Sequence, residues 1–396
     1  MIFRISIILI ILLVLPAWYI DRNIIKKHRH AKLKRYVLWT PNLFLIVSTL
    51  LFISFESYGD TYAKLVGPYL VGILCIGVSE GLFALISLIG CLFRSTKVRF
   101  LSNILGLLVA LSHSFMILYG YTIGFQKLQV KEHVFASPDL PEAFDGYRIV
   151  QFTDLHIGTL RKYKPFIEKL VDSINAQKAD AIVFTGDLVN YHASELDGFE
   201  TILNRLRAPD GVFSIMGNHD YMSYYKWVNK KEQIHNIQLL HEIEHNMGWQ
   251  LLLNENKIIR RGSDSIAIIG VENDGKPPFP QKGDLKKAMQ GIPQYSETKG
   301  ERSPFFKILL SHDPTHWRRR VLPETDIQLM LAGHTHAMQF KILGYSPSSW
   351  FYDEWDGFYK EGMRALFVSI GVGEVLLPIR IGAWPEIDII TLHKKR

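Results

Sequence analysis

Residues 1–123 hold four apolar stretches, at about 5–20, 36–55, 67–93 and 100–123. Each approaches or exceeds the roughly 20 residues a helix needs to cross a bilayer. A four-helix transmembrane block is therefore expected over 1–123. The first stretch is the shortest and contains Pro16, as the core of a signal peptide could. No small-x-small cleavage site follows it; Trp18, Tyr19 and a basic run come next, so a retained helix is expected.

Charge divides along the same boundary. Residues 1–122 carry twelve Lys/Arg and four acids, Asp21, Glu56, Asp60 and Glu80. The rest of the chain is close to neutral, so the net charge of +7 belongs to the membrane block. It gives no support to a nucleic-acid-binding face, and no nucleic-acid partner is expected. The first inter-helix loop holds Arg22, Lys26, Lys27, Arg29, Lys32, Lys34 and Arg35, the second only Lys64, and the third Arg94, Lys97 and Arg99. Basic loops stay cytoplasmic. Both termini are then expected outside the cytoplasm, in the periplasm if the source is bacterial. Glu80 falls inside the third stretch and is read as a helix–helix hydrogen-bonding group rather than a functional carboxylate.

Residues 124–145, with Pro138 and Pro141, read as a linker, and 146–396 as one globular domain. Its two ends differ from the membrane block in cysteine too. Cys75 and Cys91 both lie in the third stretch, which leaves the domain without a disulfide framework or a Cys-zinc site. Short apolar runs at 148–152, 181–184 and 212–216 alternate with helical patterns at 162–176 and 195–206, which argues for an α/β sheet. Further strands are expected at 266–271, 307–310, 327–331, 366–370 and 387–391. Residues 221–246 read as a largely helical insert over the site.

Metal-binding residue types recur where those apolar runs end. Asp154-Leu155-His156 ends the first, Gly186-Asp187 the second and Gly217-Asn218-His219-Asp220 the third. His312-Asp313 and Gly333-His334-Thr335-His336 follow two later runs. Ligands of open α/β sheets gather at the carboxyl ends of strands. Imidazoles and carboxylates without thiolates suit divalent first-row cations, and two such ions about 4 Å apart can activate water and clamp a phosphoryl group. One Gly-Asn-His-Asp alone is an ordinary turn. Five such ends in order are a signature.

In order and spacing these motifs resemble the calcineurin-like metallophosphoesterase superfamily, over about residues 146–393. Gly371, Gly373, Arg380 and Pro385-Glu386-Ile387 resemble its membrane-associated bacterial branch. The resemblance implies the metallo-dependent phosphatase fold: two packed mixed β-sheets flanked by helices. It implies two divalent metal ions, Mn, Fe or Zn. Asp154, His156 and His336 would bind the first; Asp187 would bridge; Asn218, His312 and His334 would bind the second. His219 would act as the catalytic acid at the leaving oxygen, with Asp220 orienting it. The reaction implied is hydrolysis of a phosphate mono- or diester by a metal-bridging hydroxide. Membrane tethering favours a lipid-linked phosphoester, or a soluble one outside the cytoplasm, and no obligate protein partner is evident. The alternative is a non-catalytic membrane sensor that binds a phosphorylated ligand on the same fold. One departure stands out: the branch often shows Gly-Gly-Gln after His-Thr-His, and this chain has Ala337-Met338-Gln339.

The aromatic run 345–359 reads either as a loop packed on its own domain or as a pocket wall or membrane-facing lip; on the second reading Trp350 and Trp355 are expected at the rim of the metal site or against lipid headgroups. His316 and Trp317 could line the site. His192, His235, His241 and His245 read as surface or packing histidines.

Overall fold

The computed structural model describes residues 2–27, 29–54, 60–293 and 305–396. Phe55, at the end of the second apolar stretch, and Glu56 lie outside the described residues. The chain forms two compact units, Met1–Gly124 with Leu376–Ile381, and Phe125–Val375 with Gly382–Arg396.

The first unit is helical: α1 (Ile2–Asn23), α2 (Ala31–Ser54), α3 (Asp60–Ile73), α4 (Ser79–Cys91) and α5 (Thr96–Thr122). A π-helical turn, Leu74–Val78, joins α3 to α4. The third apolar stretch is thus one continuous span with a local widening. Four segments are long and apolar enough to cross a membrane: Ile5–Asn23, Ala31–Ile53, Leu65–Cys91 and Thr96–Gln126. Polar side chains inside them pair across helices. Asn42 Nδ2 donates to both carboxylate oxygens of Glu80, at 3.0 and 3.1 Å. Ser79 Oγ bonds His113 Nδ1 at 2.9 Å and Ser114 Oγ at 2.8 Å. In lipid such groups have no water to turn to, so each finds a partner on a neighbouring helix. Leu376–Ile381 belongs to this unit, where Arg380 N donates to the Gly120 carbonyl at 3.4 Å.

The second unit holds two six-stranded sheets. One has the order β1-β12-β2-β3-β4-β5, the other β10-β11-β9-β8-β7-β6. The strands are β1 (Gln129–Ser137), β2 (Arg148–Phe152), β3 (Ala181–Phe184), β4 (Val212–Ser214), β5 (Gln250–Leu251) and β6 (Glu255–Arg261). They continue as β7 (Asp264–Gly270), β8 (Phe306–Leu310), β9 (Leu329–Ala332), β10 (Gly357–Glu361), β11 (Arg364–Val368) and β12 (Glu386–Lys394). Both sheets are mixed. β2, β3, β4 and β5 pair in parallel, while β12 runs antiparallel to β2. β7, β8, β9 and β11 are likewise parallel, with antiparallel edges β6 and β10.

Strand periodicity explains the layering. Successive side chains point to opposite faces. Ala181 and Val183 of β3 join Ile308, Leu310, Leu329 and Leu331 in a core between the sheets. Ile182 and Phe184 turn the other way, onto α7 (Lys164–Ala176), where Phe166, Ile167, Leu170 and Val171 form the helix's buried face. Leu309 and Met330 pack on the outer side of the second sheet with Trp317 and Val321. Central strands are buried on both faces, which is why their sequences are mostly apolar, with Gln151 in β2 and Lys307 in β8 as buried polar exceptions. Gln151 of β2 links the two sheets through Nε2, donating to the Ala332 carbonyl of β9 at 2.8 Å.

Two expectations need revision. Residues 124–145 are not all connector: β1 pairs in parallel with β12 along nine residues, from Gln129↔Glu386 to Ser137↔Lys394. Its side chains are mostly exposed, the pattern of an edge strand, so no apolar run marks it. The helix expected at 195–206 is instead a 3₁₀ turn, Ala193–Leu196, and the single turn α8 (Glu200–Leu203). α6 (Ile157–Leu160) is a further single turn after the first motif. The insert is helical where expected, as α9 (Lys230–Asn246), capped by Asn229 accepting from Glu232 N.

Candidate metal centre

The polar motif residues sit at the carboxyl ends of parallel strands: β2, β3 and β4 of one sheet, β8 and β9 of the other. The backbone turns sharply there. Asp154, His156, Asp187, His334 and His336 all have positive φ, from 43° to 75°. That region disfavours a residue with a Cβ, and such strain gathers where surrounding structure holds a functional geometry. The neighbouring glycines make room: a Cβ on Gly217 would overlap the Asp187 carboxylate, and one on Gly333 the Asp154 carboxylate.

Three overlapping groups of potential ligands result: Asp154, His156 and His336; His156, Asp187 and His219; and Asp187, His312 and His334. Within each, the ligand atoms lie within 4.8 Å of one another. Asp187 belongs to two groups. Its Oδ2 is 3.5 Å from His156 Nε2 and 3.2 Å from His312 Nε2. His336 Nε2 is 3.0 Å from Asp154 Oδ1 and 3.1 Å from His156 Nε2. His334 Nδ1 is 3.3 Å from His312 Nε2. Asn218 is 2% exposed and its Oδ1 has no hydrogen-bond partner; nor has Asp154 Oδ1. Buried polar atoms are ordinarily satisfied. Orphaned oxygens and ring nitrogens converging on each other fit divalent cations, around Asp154 with His156 and His336 and around Asp187 with His312 and His334.

The electrostatics point the same way. Burial works against charge on Asp154, yet the His336 and His312 imidazoles hold its pKa below the usual range. Asp187 is likewise held well below, by His312 and His219 against burial. Burial opposes the His312 imidazolium, but Asp187 and Asp154 outweigh it and lift its pKa to about 10. The site stabilises positive charge. Burial pushes His156, His219 and His334 down, toward the neutral imidazole that a metal requires. His312 Nδ1 lies 2.7 Å from the Thr185 carbonyl, a bond that fixes the tautomer and leaves Nε2 free.

His219 and Asp220 part company. His219 is anchored by its backbone N–H to Asp187 Oδ1 (2.8 Å) and by Nδ1 to the Asn190 carbonyl (2.9 Å). The ring stands edge-on to His156, centroids 4.8 Å apart. Among the described residues Asp220 makes no hydrogen bond to the His219 ring, so it could orient His219 only through the backbone. Its Oδ2 accepts from the N–H groups of Asp187 and Gly217, each at 2.8 Å, and its Oδ1 from those of Leu188 (2.8 Å) and Val189 (3.2 Å). Asp220 thus laces the loop after β3 to the loop after β4. Burial and the Asp187 charge push its pKa up to about 7, against the four N–H donors.

Sequence reasoning missed Asn190, Tyr224 and Tyr352. Tyr224 Oη is 3.0 Å from Asn218 Nδ2, and Tyr352 Oη is 2.9 Å from His334 Nε2. The aromatic run does reach the site, but through Tyr352. Trp350 is 80% exposed, and Trp355 packs against Ala337, Ile370 and Ala383. His316 and Trp317 are fully buried; Trp317 joins the outer core and His316 bonds Ser311 through Nδ1. Only the aromatic run and the insert were signalled in sequence, and nothing there distinguishes Tyr352 or Tyr224 from their neighbours.

The calcineurin-like phosphoesterase family profile matches residues 147–338. Among curated proteins, an uncharacterized metallophosphoesterase of Bacillus subtilis, YkuE, is 29% identical over 76% of this chain and 98% of its own. A zebrafish (Danio rerio) transmembrane protein with metallophosphoesterase domain is 27% identical over 82% of this chain and 74% of its own. An uncharacterized metallophosphoesterase of Aquifex aeolicus is 26% identical over 68% and 93%. By this profile and these relatives, residues 147–338 are a calcineurin-like metallophosphoesterase domain, that of a metal-dependent phosphoric ester hydrolase.

Proposed function

We propose that this chain is a membrane-anchored phosphoesterase that works with two divalent metal ions and cleaves mono- or diesters of phosphate. The observation that carries this is Asp187, whose carboxylate is shared by two ligand groups. Asp154, His156 and His336 would hold one ion; Asn218, His312 and His334 would hold the other, with Asp187 between them. Bound there, the ions would neutralise phosphoryl charge and make water nucleophilic. His219, fixed by the Asn190 carbonyl, would present its other ring nitrogen, Nε2, to the leaving oxygen and give it a proton. Asp220 keeps the two loops that carry Asp187 and His219 in register.

The substrate is proposed to be lipid-linked. The segment that brings Tyr352 to the site also exposes Leu343 (93%), Tyr345 (79%), Trp350 (80%) and Phe351 (64%). An exposed apolar and aromatic cluster of that kind suits contact with acyl chains or the headgroup boundary. The loop charges support a position of the domain outside the cytoplasm. The test is a screen of the full-length protein, loaded with Mn²⁺, against soluble aryl phosphoesters and phospholipids in vesicles. Metal-dependent turnover of any of them supports hydrolysis. Binding of phosphorylated ligands without turnover, at full metal occupancy, would favour a sensor instead.

A further inference from the structure

Two tyrosines meet the proposed second-metal ligands from outside the motif, each through its hydroxyl oxygen. Asn218 Nδ2 donates to the Tyr224 oxygen at 3.0 Å, and Asn218 Oδ1 has no hydrogen-bond partner. His334 has Nδ1 3.3 Å from His312 Nε2, and Nε2 2.9 Å from the Tyr352 oxygen. With a cation at Nδ1, the ring proton would sit on Nε2 and the Tyr352 oxygen would accept it. A phenol that accepts still has its own O–H to donate. Among the described residues, neither tyrosine hydroxyl has a second hydrogen-bond partner.

Tyr224 lies against His219, centroids 4.4 Å apart, and Tyr352 stands edge-on to His334 at 5.6 Å, so both rings border residues of the candidate centre. Tyr224 follows β4 in one sheet; Tyr352 lies between β9 and β10 of the other.

On the reading of this site as a phosphoesterase centre, we propose that Tyr224 and Tyr352 are a paired hydroxyl donor for a non-bridging oxygen of the bound phosphate group. The motif residues supply nitrogen and carboxylate ligands but few neutral donors, and these two O–H groups complete the recognition of the anion. They are binding residues for the phosphoryl oxyanion, and they set how it is turned relative to His219.

The experiment uses the full-length protein in detergent and the variants Tyr224→Phe, Tyr352→Phe and the double variant, each keeping the ring. Metal affinity is titrated with Mn²⁺. Affinity for inorganic phosphate is then measured by calorimetry at saturating Mn²⁺. Phosphate binding is expected to weaken about 10-fold for each single variant, the scale of one hydrogen bond to a charged group, with full metal occupancy still reached. Unchanged phosphate affinity at saturating Mn²⁺ overturns the proposal; if Mn²⁺ affinity has fallen meanwhile, the hydroxyls only orient Asn218 and His334. Wild-type protein that binds neither Mn²⁺ nor phosphate overturns the phosphoesterase reading, and this inference falls with it.

Discussion

Asp187 and His219 are the residues at which the proposed chemistry is most exposed to test. Asp187 serves two ligand groups, so Asp187→Asn is expected to abolish turnover and lower the occupancy of both ions. Elemental analysis beside an activity assay checks it, and full dual occupancy with normal turnover would remove the bridging role. His219→Ala should keep the metals and slow turnover by about 10²–10⁴-fold, the usual range for a positioned acid. The loss should shrink for a nitrophenyl ester, whose leaving group needs little protonation; equal losses on good and poor leaving groups would count against proton donation. Asp220 behaves differently from either. Removing its carboxylate orphans four buried N–H groups, each worth about 1 kcal/mol or more. Asp220→Ala is therefore expected to destabilise the domain by about 3 kcal/mol or more, read as a lower denaturant midpoint. Stability equal to wild type would mean those donors find other partners. The motif pattern made all three residues visible in sequence, yet it could not separate an acid held by a carbonyl from an aspartate that laces two loops. That distinction depends on which N–H groups the folded loops aim at Asp220.

Elements show a different limit. The segment after His336 takes left-handed backbone at Ala337 (φ 47°), Met338 (φ 46°) and Gln339 (φ 59°). Glycines, the pattern of the resembling branch, adopt such angles without a Cβ penalty. Gln339 stays useful here, its Oε1 accepting from Val375 N at 2.6 Å. Met338 is half-exposed and has less to lose, so Met338→Gly should stabilise the fold by about 1 kcal/mol, measured by thermal or denaturant unfolding. A destabilised variant would mean that the Met side chain contributes more than its backbone strain costs. The exposed segment around Trp350 carries the lipid proposal. Trp350→Ser with Phe351→Ser should lower activity on vesicle phosphoesters several-fold and spare a soluble diester. If both activities fall together, the segment serves the pocket in general. Trp355, expected to act with Trp350, is a packing residue and the wrong one to change. Alternation and aromatic content placed this run beside the site; only its folded path decided that Tyr352 turns inward and Trp350 outward.

At the scale of the whole molecule, the prediction concerns sidedness. Ten Lys/Arg in the first and third loops against one in the second favour a cytoplasmic position for those loops, and on that reading the catalytic domain is expected outside the cytoplasm. A reporter active only outside the cytoplasm, fused after Arg396, should be active. Silence there with a working cytoplasmic reporter would reverse the orientation. Metal should also contribute to stability by mass action: about 2.7 kcal/mol when an ion is present at 100 times its dissociation constant. Chelation is expected to lower the melting temperature as well as abolish turnover, with both restored by added Mn²⁺. A melting temperature indifferent to chelator would show that the ligand groups hold no ion in the folded protein.

Hydropathy length by itself determined the helical block, because a bilayer admits few structures and a span of about 20 apolar residues is hard to hide. Short, mostly apolar runs likewise marked β2, β3, β8 and β9, strands buried on both faces, and the polar motifs at their ends marked the site. The edges stayed silent. β1, β5, β6 and β10 are largely exposed or half-exposed, or two residues long; β1 and β5 take their places from distant partners, β12 and β4, while β6 and β10 pair with the next strand across tight hairpins. Tertiary structure alone decided what no local pattern encodes: the four N–H groups converging on Asp220, the Asn190 carbonyl behind His219, and two tyrosine oxygens from different sheets meeting Asn218 and His334. Each joins residues brought together by loops whose course is set by packing elsewhere in the domain.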